Sequence, residues 1–144
     1  MKKKCLIVVM LLVVIMTATM LTACNTNKMS LGFMDSLDSK VRYKKVDVVN
    51  YEGKTLKEFL ENEKSLGAEI VDGWQLVKIN GLEPQENEYI CIFTSDESKK
   101  NLWEGANAPI TIGEVTYYES GFGMSDLIVS KDVKYLFVVV EAKW

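Results

Sequence analysis

Lys134-Tyr135-Leu136-Phe137-Val138-Val139-Val140-Glu141-Ala142 is the stretch that decides the fold. From Tyr135 to Val140 no polar residue interrupts the apolar ones, and three of the six are β-branched valines. A strand with one wet face alternates apolar and polar side chains; a strand without that alternation is buried on both faces. The stretch therefore predicts a central strand with apolar material above and below it.

Working back toward the N-terminus, Pro109-Ile110-Thr111-Ile112 and Val115-Thr116-Tyr117-Tyr118 predict one or two further strands, broken at Gly113. Tyr89 to Thr94 and Gly73 to Ile79 predict two more. Asn80-Gly81, Pro84 and Asn87 lie between them, which suggests an antiparallel hairpin with a loop longer than the two-residue type. Val41 to Tyr51, rich in valine and tyrosine, predicts a first strand. Thr55-Leu56-Lys57-Glu58 is a capping box, in which the threonine hydroxyl takes a free amide of the first turn and the glutamate reaches back. Leu56, Phe59 and Leu60 follow at helical spacing and Gly67 is a stop signal, so a short amphipathic helix is expected over about 56–66. One helix on a mixed, mostly antiparallel sheet of about five strands makes an α+β domain over residues 41–144. This order is compatible with a β-grasp-like arrangement, and other small α+β folds accommodate it as well.

The first 24 residues carry an address. Met1-Lys2-Lys3-Lys4 precedes an apolar run from Cys5 to Met16, and Thr17-Ala18-Thr19-Met20 closes it, the charged, apolar and small-residue order of a secretory signal. Leu21-Thr22-Ala23-Cys24 then resembles a lipobox. The resemblance implies a signal peptide over residues 1–23, cleavage before Cys24 and acylation of its thiol, which would attach the chain to the extracytoplasmic face of a cell membrane. Several acyl chains on one residue anchor a protein stably without help from its surface. An uncleaved anchor could use the same segment, which is about as long as a spanning helix; its polar Thr17 to Thr22 end and the cysteine after Thr-Ala favour lipidation. Residues 24–40, short, polar and mixed apart from Leu31, Phe33 and Met34, are expected to be a tether.

The chain holds 17 lysines and arginines against 20 acids. Lys2, Lys3 and Lys4 belong to the signal and residues 1–24 contain no acid, so the remainder carries 14 basic and 20 acidic side chains, a net charge of −6. Such a domain lacks the electrostatic footprint for phosphate backbones, and nucleic acid is not an expected partner. Of three cysteines only Cys91 belongs to the expected domain, so no internal disulfide can form. Its apolar setting, Tyr89-Ile90-Cys91-Ile92-Phe93, reads as a small buried hydrophobe rather than a reactive thiol. No histidine occurs, which removes histidine-based triads, imidazole zinc sites and histidine-ligated haem. Neither a cofactor nor a metal is expected, and a non-enzymatic role is the favoured reading.

Several short runs share an order with a known family: Gly53-Lys54-Thr55-Leu56 through Leu60, Trp74 to Gly81 with Ile79-Asn80-Gly81, Tyr89 to Thr94, and Gly123-Met124-Ser125-Asp126-Leu127 before the closing strand. Over roughly residues 45–143 the chain resembles the transcobalamin C-terminal-like domain of bacterial surface lipoproteins. The resemblance implies a β-grasp-like fold and a ligand, cobalamin or another small molecule, or a larger partner. The chain departs from the pattern in two places. It has Ile92-Phe93-Thr94-Ser95-Asp96 where members often have an aromatic strand ending in Asn-Gly, and Lys131-Asp132 where they have Gly-Asp; both weaken the link to cobalamin.

Two places are candidates for ligand binding. Trp103, within Lys99-Lys100-Asn101-Leu102-Trp103-Glu104-Gly105, is a flat amphipathic contact surface in a polar loop, unless it folds back to cap the core. Gly121-Phe122-Gly123 lies near Tyr117 and Tyr118; its glycines would admit a ligand close to the backbone, and one of the two tyrosines should face outward. The bland alternative is a turn with Phe122 in the core. Asp96, Glu97, Glu104, Glu114 and Glu119 show no spacing that selects a catalytic or calcium-binding pair. A small molecule at the Trp103 and Phe122 loops is the first functional expectation; a protein contact in a cell-envelope complex is the second.

Overall fold

The computed structural model describes residues 27–143. The expected signal peptide and Cys24 lie outside the described residues. In chain order the elements are β1 (Lys28–Met34), β2 (Arg42–Asp47), α1 (Leu56–Asn62), a 3-10 turn at Lys64–Leu66, β3 (Glu69–Val71), β4 (Gln75–Lys78), β5 (Glu88–Thr94), a second 3-10 turn at Glu97–Lys99, β6 (Ile110–Ile112), β7 (Val115–Glu119) and β8 (Tyr135–Glu141). Six strands form one mixed sheet in the order β2-β1-β8-β5-β7-β6; β3 and β4 form a separate hairpin. The class is α+β, mostly sheet with one short helix.

The closing strand β8 is central, between β1 and β5. Tyr135, Phe137 and Val139 face the helix side, where Phe137 stacks on Phe33 at 5.5 Å between centroids and Leu56, Phe59 and Leu60 of α1 complete the layer. Leu136, Val138 and Val140 face a second core with Met34, Cys91, Phe93 and Tyr117. Tyr117 on β7 meets Tyr43 on β2 across that face, as the curl of the sheet allows. Burial, and then Tyr43, pushes the Tyr117 phenol up to about 12. The Cys91 thiol is raised well above its usual range, chiefly by burial, which keeps it protonated and inert.

Three sequence expectations are corrected. The first concerns the tether: residues 28–34, inside the expected 24–40 segment, are β1, paired antiparallel to β2 and parallel to β8. Met29, Leu31 and Phe33 alternate toward the helix-side core, a period-2 signal interrupted by Gly32 and followed directly by the apolar Met34. A Cβ at Gly32 would stand 2.6 Å from Leu136 Cδ1, so any larger residue would have to displace that buried side chain. The second concerns strand number, six in the main sheet plus two in the hairpin rather than about five. The third concerns pairing: β4 pairs with β3, not β5. Asp72 and Gly73, both with positive φ (53° and 76°), turn the chain back with Trp74 N donating to Val71 O at 3.2 Å, and Val71 then pairs with Gln75, so β4 is already committed to the strand before it. Asn80-Gly81 makes a second tight turn, bridging Ile79 to Leu82, instead of opening a long hairpin loop.

At the start of α1, Thr55 Oγ1 accepts from Glu58 N at 3.1 Å, as the capping box requires. Glu58 does not reach back; its carboxylate pairs with Lys54. The remaining first-turn amides, Leu56 N and Lys57 N, donate instead to the carbonyls of Leu127 and Met124. The helix thereby fixes the segment that follows Gly123. No helix among the described residues is long and apolar enough to cross a membrane.

Candidate functional site

Where β7 diverges from β5 a cleft of about 640 Å³ opens. That volume lies within the range of small-ligand sites. Its walls come from three places. The β3–β4 hairpin supplies Trp74, β5 supplies Tyr89, Ile90 and Ile92, and the loop over residues 101–107 supplies Trp103. Glu119, Met124 and Lys143 complete the rim.

Trp74 follows the Asp72-Gly73 turn directly, so a self-contained turn carries it out of the core, and its indole is 71% exposed. Trp103 is 64% exposed and has not folded back over the core. Its position is set by its own loop: a Cβ at Gly105 would stand 2.3–2.6 Å from the six-membered part of the indole, so the ring lies directly on that glycine. Trp103 N donates to Asn101 Oδ1 at 3.1 Å. Asn101 is in turn held by Glu119, whose Oε1 accepts from Asn101 Nδ2 at 2.7 Å. The other oxygen, Oε2, accepts from Asn107 N at 2.6 Å and Asn107 Nδ2 at 2.7 Å. One carboxylate at the end of β7 thus ties both ends of the loop. Lys143 Nζ adds a bond to Asn107 Oδ1 at 3.2 Å.

Of the candidate residues, Trp103 lines the cleft. Tyr117 does not; at 2% exposure it belongs to the second core and no ligand can reach it. Tyr118 is half-buried, with Lys100 Nζ 5.9 Å from its ring, and Phe122 is partly exposed under Lys99 Nζ at 4.5 Å; neither lines the cleft. Gly121 approaches its own chain rather than a ligand, since a Cβ there would meet Asn101 Cα at 3.1 Å and Lys100 O at 3.2 Å. Trp74, Tyr89 and the Glu119 anchor escaped sequence reasoning. Only Trp74 had a legible signal, the Asp-Gly pair before it. Burial, with smaller effects of Cys91 and Glu119, raises the Tyr89 phenol above its usual value. Among the described residues no three histidine, cysteine or acidic side chains converge as a metal site.

No protein-family model matches the chain, and no curated protein matches it.

Proposed function

We propose that the chain is a lipoprotein, anchored by lipid on Cys24 at the extracytoplasmic face of a cell membrane, whose domain binds a ligand in the cleft without transforming it. The observation that carries the binding reading is the pair of exposed indoles, Trp74 and Trp103, on different walls of one concavity. Exposed tryptophans that converge on a cleft are contact surface, because a solvated indole forgoes the burial that large aromatics ordinarily find. A non-enzymatic role is supported by Glu119, the acid deepest in the loop's network, being committed to three structural hydrogen bonds. The anchor reading rests on the lipobox-like Leu21-Thr22-Ala23-Cys24. Since β1 starts at Lys28, only three residues separate Cys24 from the sheet. Extended, they reach about 10 Å, which would hold the domain against the headgroups.

A β-grasp-like classification is supported by the connectivity: a β1–β2 hairpin, a helix, and a last strand inserted parallel to β1 at the sheet centre. The transcobalamin-like kinship rests on short matches and on this order of elements, and cobalamin enters on that basis as one candidate ligand. The full-length chain in detergent micelles, titrated with cobalamins, haem and cell-wall sugars, should show quenched tryptophan emission and a raised Tm for a true ligand. The effect should disappear in Trp103→Ala. A flat response to the whole panel would remove the small-molecule version. Cys24→Ala should lose labelled palmitate and membrane attachment; retained attachment would overturn the anchor. The second reading, a protein-contacting module in an envelope complex, is favoured by one observation, the free edge of β5 inside the cleft.

A further inference from the structure

Strand β5 pairs with β8 along its whole length, Glu88 to Thr94, but with β7 only at Phe93 and Thr94. Main-chain groups of successive residues address opposite edges of a strand. Asn87 O accepts from Ala142 N and Ser95 N donates to Lys134 O, so the odd-numbered residues address β8; Ile92 O accepts from Ser120 N on the other edge. The Glu88 carbonyl, both main-chain groups of Ile90 and the Ile92 N–H therefore point away from β8. Among the described residues they have no hydrogen-bond partner. Ile90 and Ile92 project to the helix-side core, while Tyr89, by alternation with Cys91, projects to the other face. All three line the cleft, which places it astride the open edge rather than over one face.

Open edges invite pairing, and proteins normally blunt them. Here β2 carries Arg42, Lys44, Lys45 and Asp47, and β6 is three residues long. The open stretch of β5 carries a charge only at Glu88, and is recessed between Trp74 and Trp103 instead. Alternating, unsatisfied N–H and C=O groups are met by another extended main chain. The charges select further: Glu88 and Glu119 line the cleft against Lys143 alone, and indole faces attract cations.

We propose that the cleft takes an extended, net-basic peptide segment of another protein as an added strand on β5, its main chain paired with Ile90 and its basic side chains set against Trp74 and Trp103. This rests on the reading of the cleft as the binding site and names the class of ligand. The test is to select a displayed library of random heptapeptides on the full-length chain in micelles. Enriched sequences should be rich in arginine and lysine. They should slow amide exchange at Ile90 by at least about tenfold, and Trp74→Ala should weaken them about tenfold. N-methylation of alternate peptide nitrogens should cost about tenfold in one register and little in the other, since an added strand offers only one of its edges to β5. The proposal is overturned if no peptide binds with Kd below about 1 mM, if Ile90 exchange is unchanged, or if both methylation registers are tolerated. In that event a panel ligand that still quenches Trp103 keeps the cleft as a binding site and removes only the peptide; loss of both responses removes both.

Discussion

The two ends of β5 differ in what surrounds them. At Phe93 and Thr94 the strand is held by β8 on one side and β7 on the other, with Phe93 fully buried in the second core. Five residues earlier the same strand is held, among the described residues, on one side only, and two exposed tryptophans stand near its free edge. Each end pairs two large apolar residues with one polar one, Tyr89 and Ile90 with Glu88 at the open end and Ile92 and Phe93 with Thr94 at the closed end, so hydrophobicity alone does not make the difference. What differs is where β7 stops pairing: its last paired residue is Glu119, opposite Phe93, and the side chain of Glu119 anchors the loop over residues 101–107. One end of the strand is committed to stability, and the other is left available.

The largest test of this contrast is Phe93→Ala against Ile90→Val. Truncating the fully buried ring should cost about 3–5 kcal/mol, and removing one methylene at the open end about 1 kcal/mol. Urea unfolding of both variants measures the gap; equal costs would mean that the open end is as tightly built as the closed one. Alkaline titration gives the next effect. Because the folded protein favours the neutral Tyr117 phenol, raised from 10.0 to about 12, its contribution is fully present below pH 10 and is lost as the pH climbs toward 12. The loss should amount to about 3 kcal/mol at most. Tyr135, raised likewise to about 12 by burial, adds a similar share, so Tyr117→Phe should flatten only part of the decline. A stability curve with no fall above pH 10 would mean that the second core is open to water.

The closed end was legible in the sequence, and the open end was not. Tyr135 to Val140 announced a doubly buried strand because burial on both faces leaves a compositional trace. Thr55 announced the helix through capping chemistry that is local by nature and caps its start; the helix itself ends at Asn62, short of the expected 66, and Gly67 closes the 3-10 turn that follows. The β1 strand left a weaker trace because its inner edge is set by β8, more than a hundred residues away, and its alternation of Met29, Leu31 and Phe33 is broken by Gly32. The Asp72-Gly73 turn that pairs β4 with β3 is legible in the sequence only if the strand is taken to begin after Gly73, whereas its apolar run invites a start at Gly73 itself. The cleft left still less trace. Trp103 could be suspected from its polar neighbours, whereas the closeness of Glu119 to Asn107 is a product of tertiary folding that no spacing encodes.

Glu119→Gln probes the hinge between the two ends at intermediate cost. The amide keeps the shape but turns a donor toward Asn101 or Asn107, which already donate, so about 1–2 kcal/mol should be lost. Trp103 emission should shift with it and exchange at the Asn107 amide should quicken, while Ile110 to Tyr117 pairing stays protected. If the loop signals and the β6–β7 ladder move together, Glu119 supports the closed end too and the division of β5 is wrong.

Trp74→Ala should have the smallest effect on stability and a decisive one on binding. Its indole is mostly in water, and the turn that carries it is closed by Asp72 and Gly73 rather than by the ring. Exposed substitutions away from caps and cores ordinarily stay within about 0.5 kcal/mol. A Tm unchanged within error, together with lost ligand response, would show that the hairpin presents Trp74 for contact and not for the core. A fall of several degrees would place the indole among the residues that hold the hairpin down, and the open end of β5 would then be covered by its own chain.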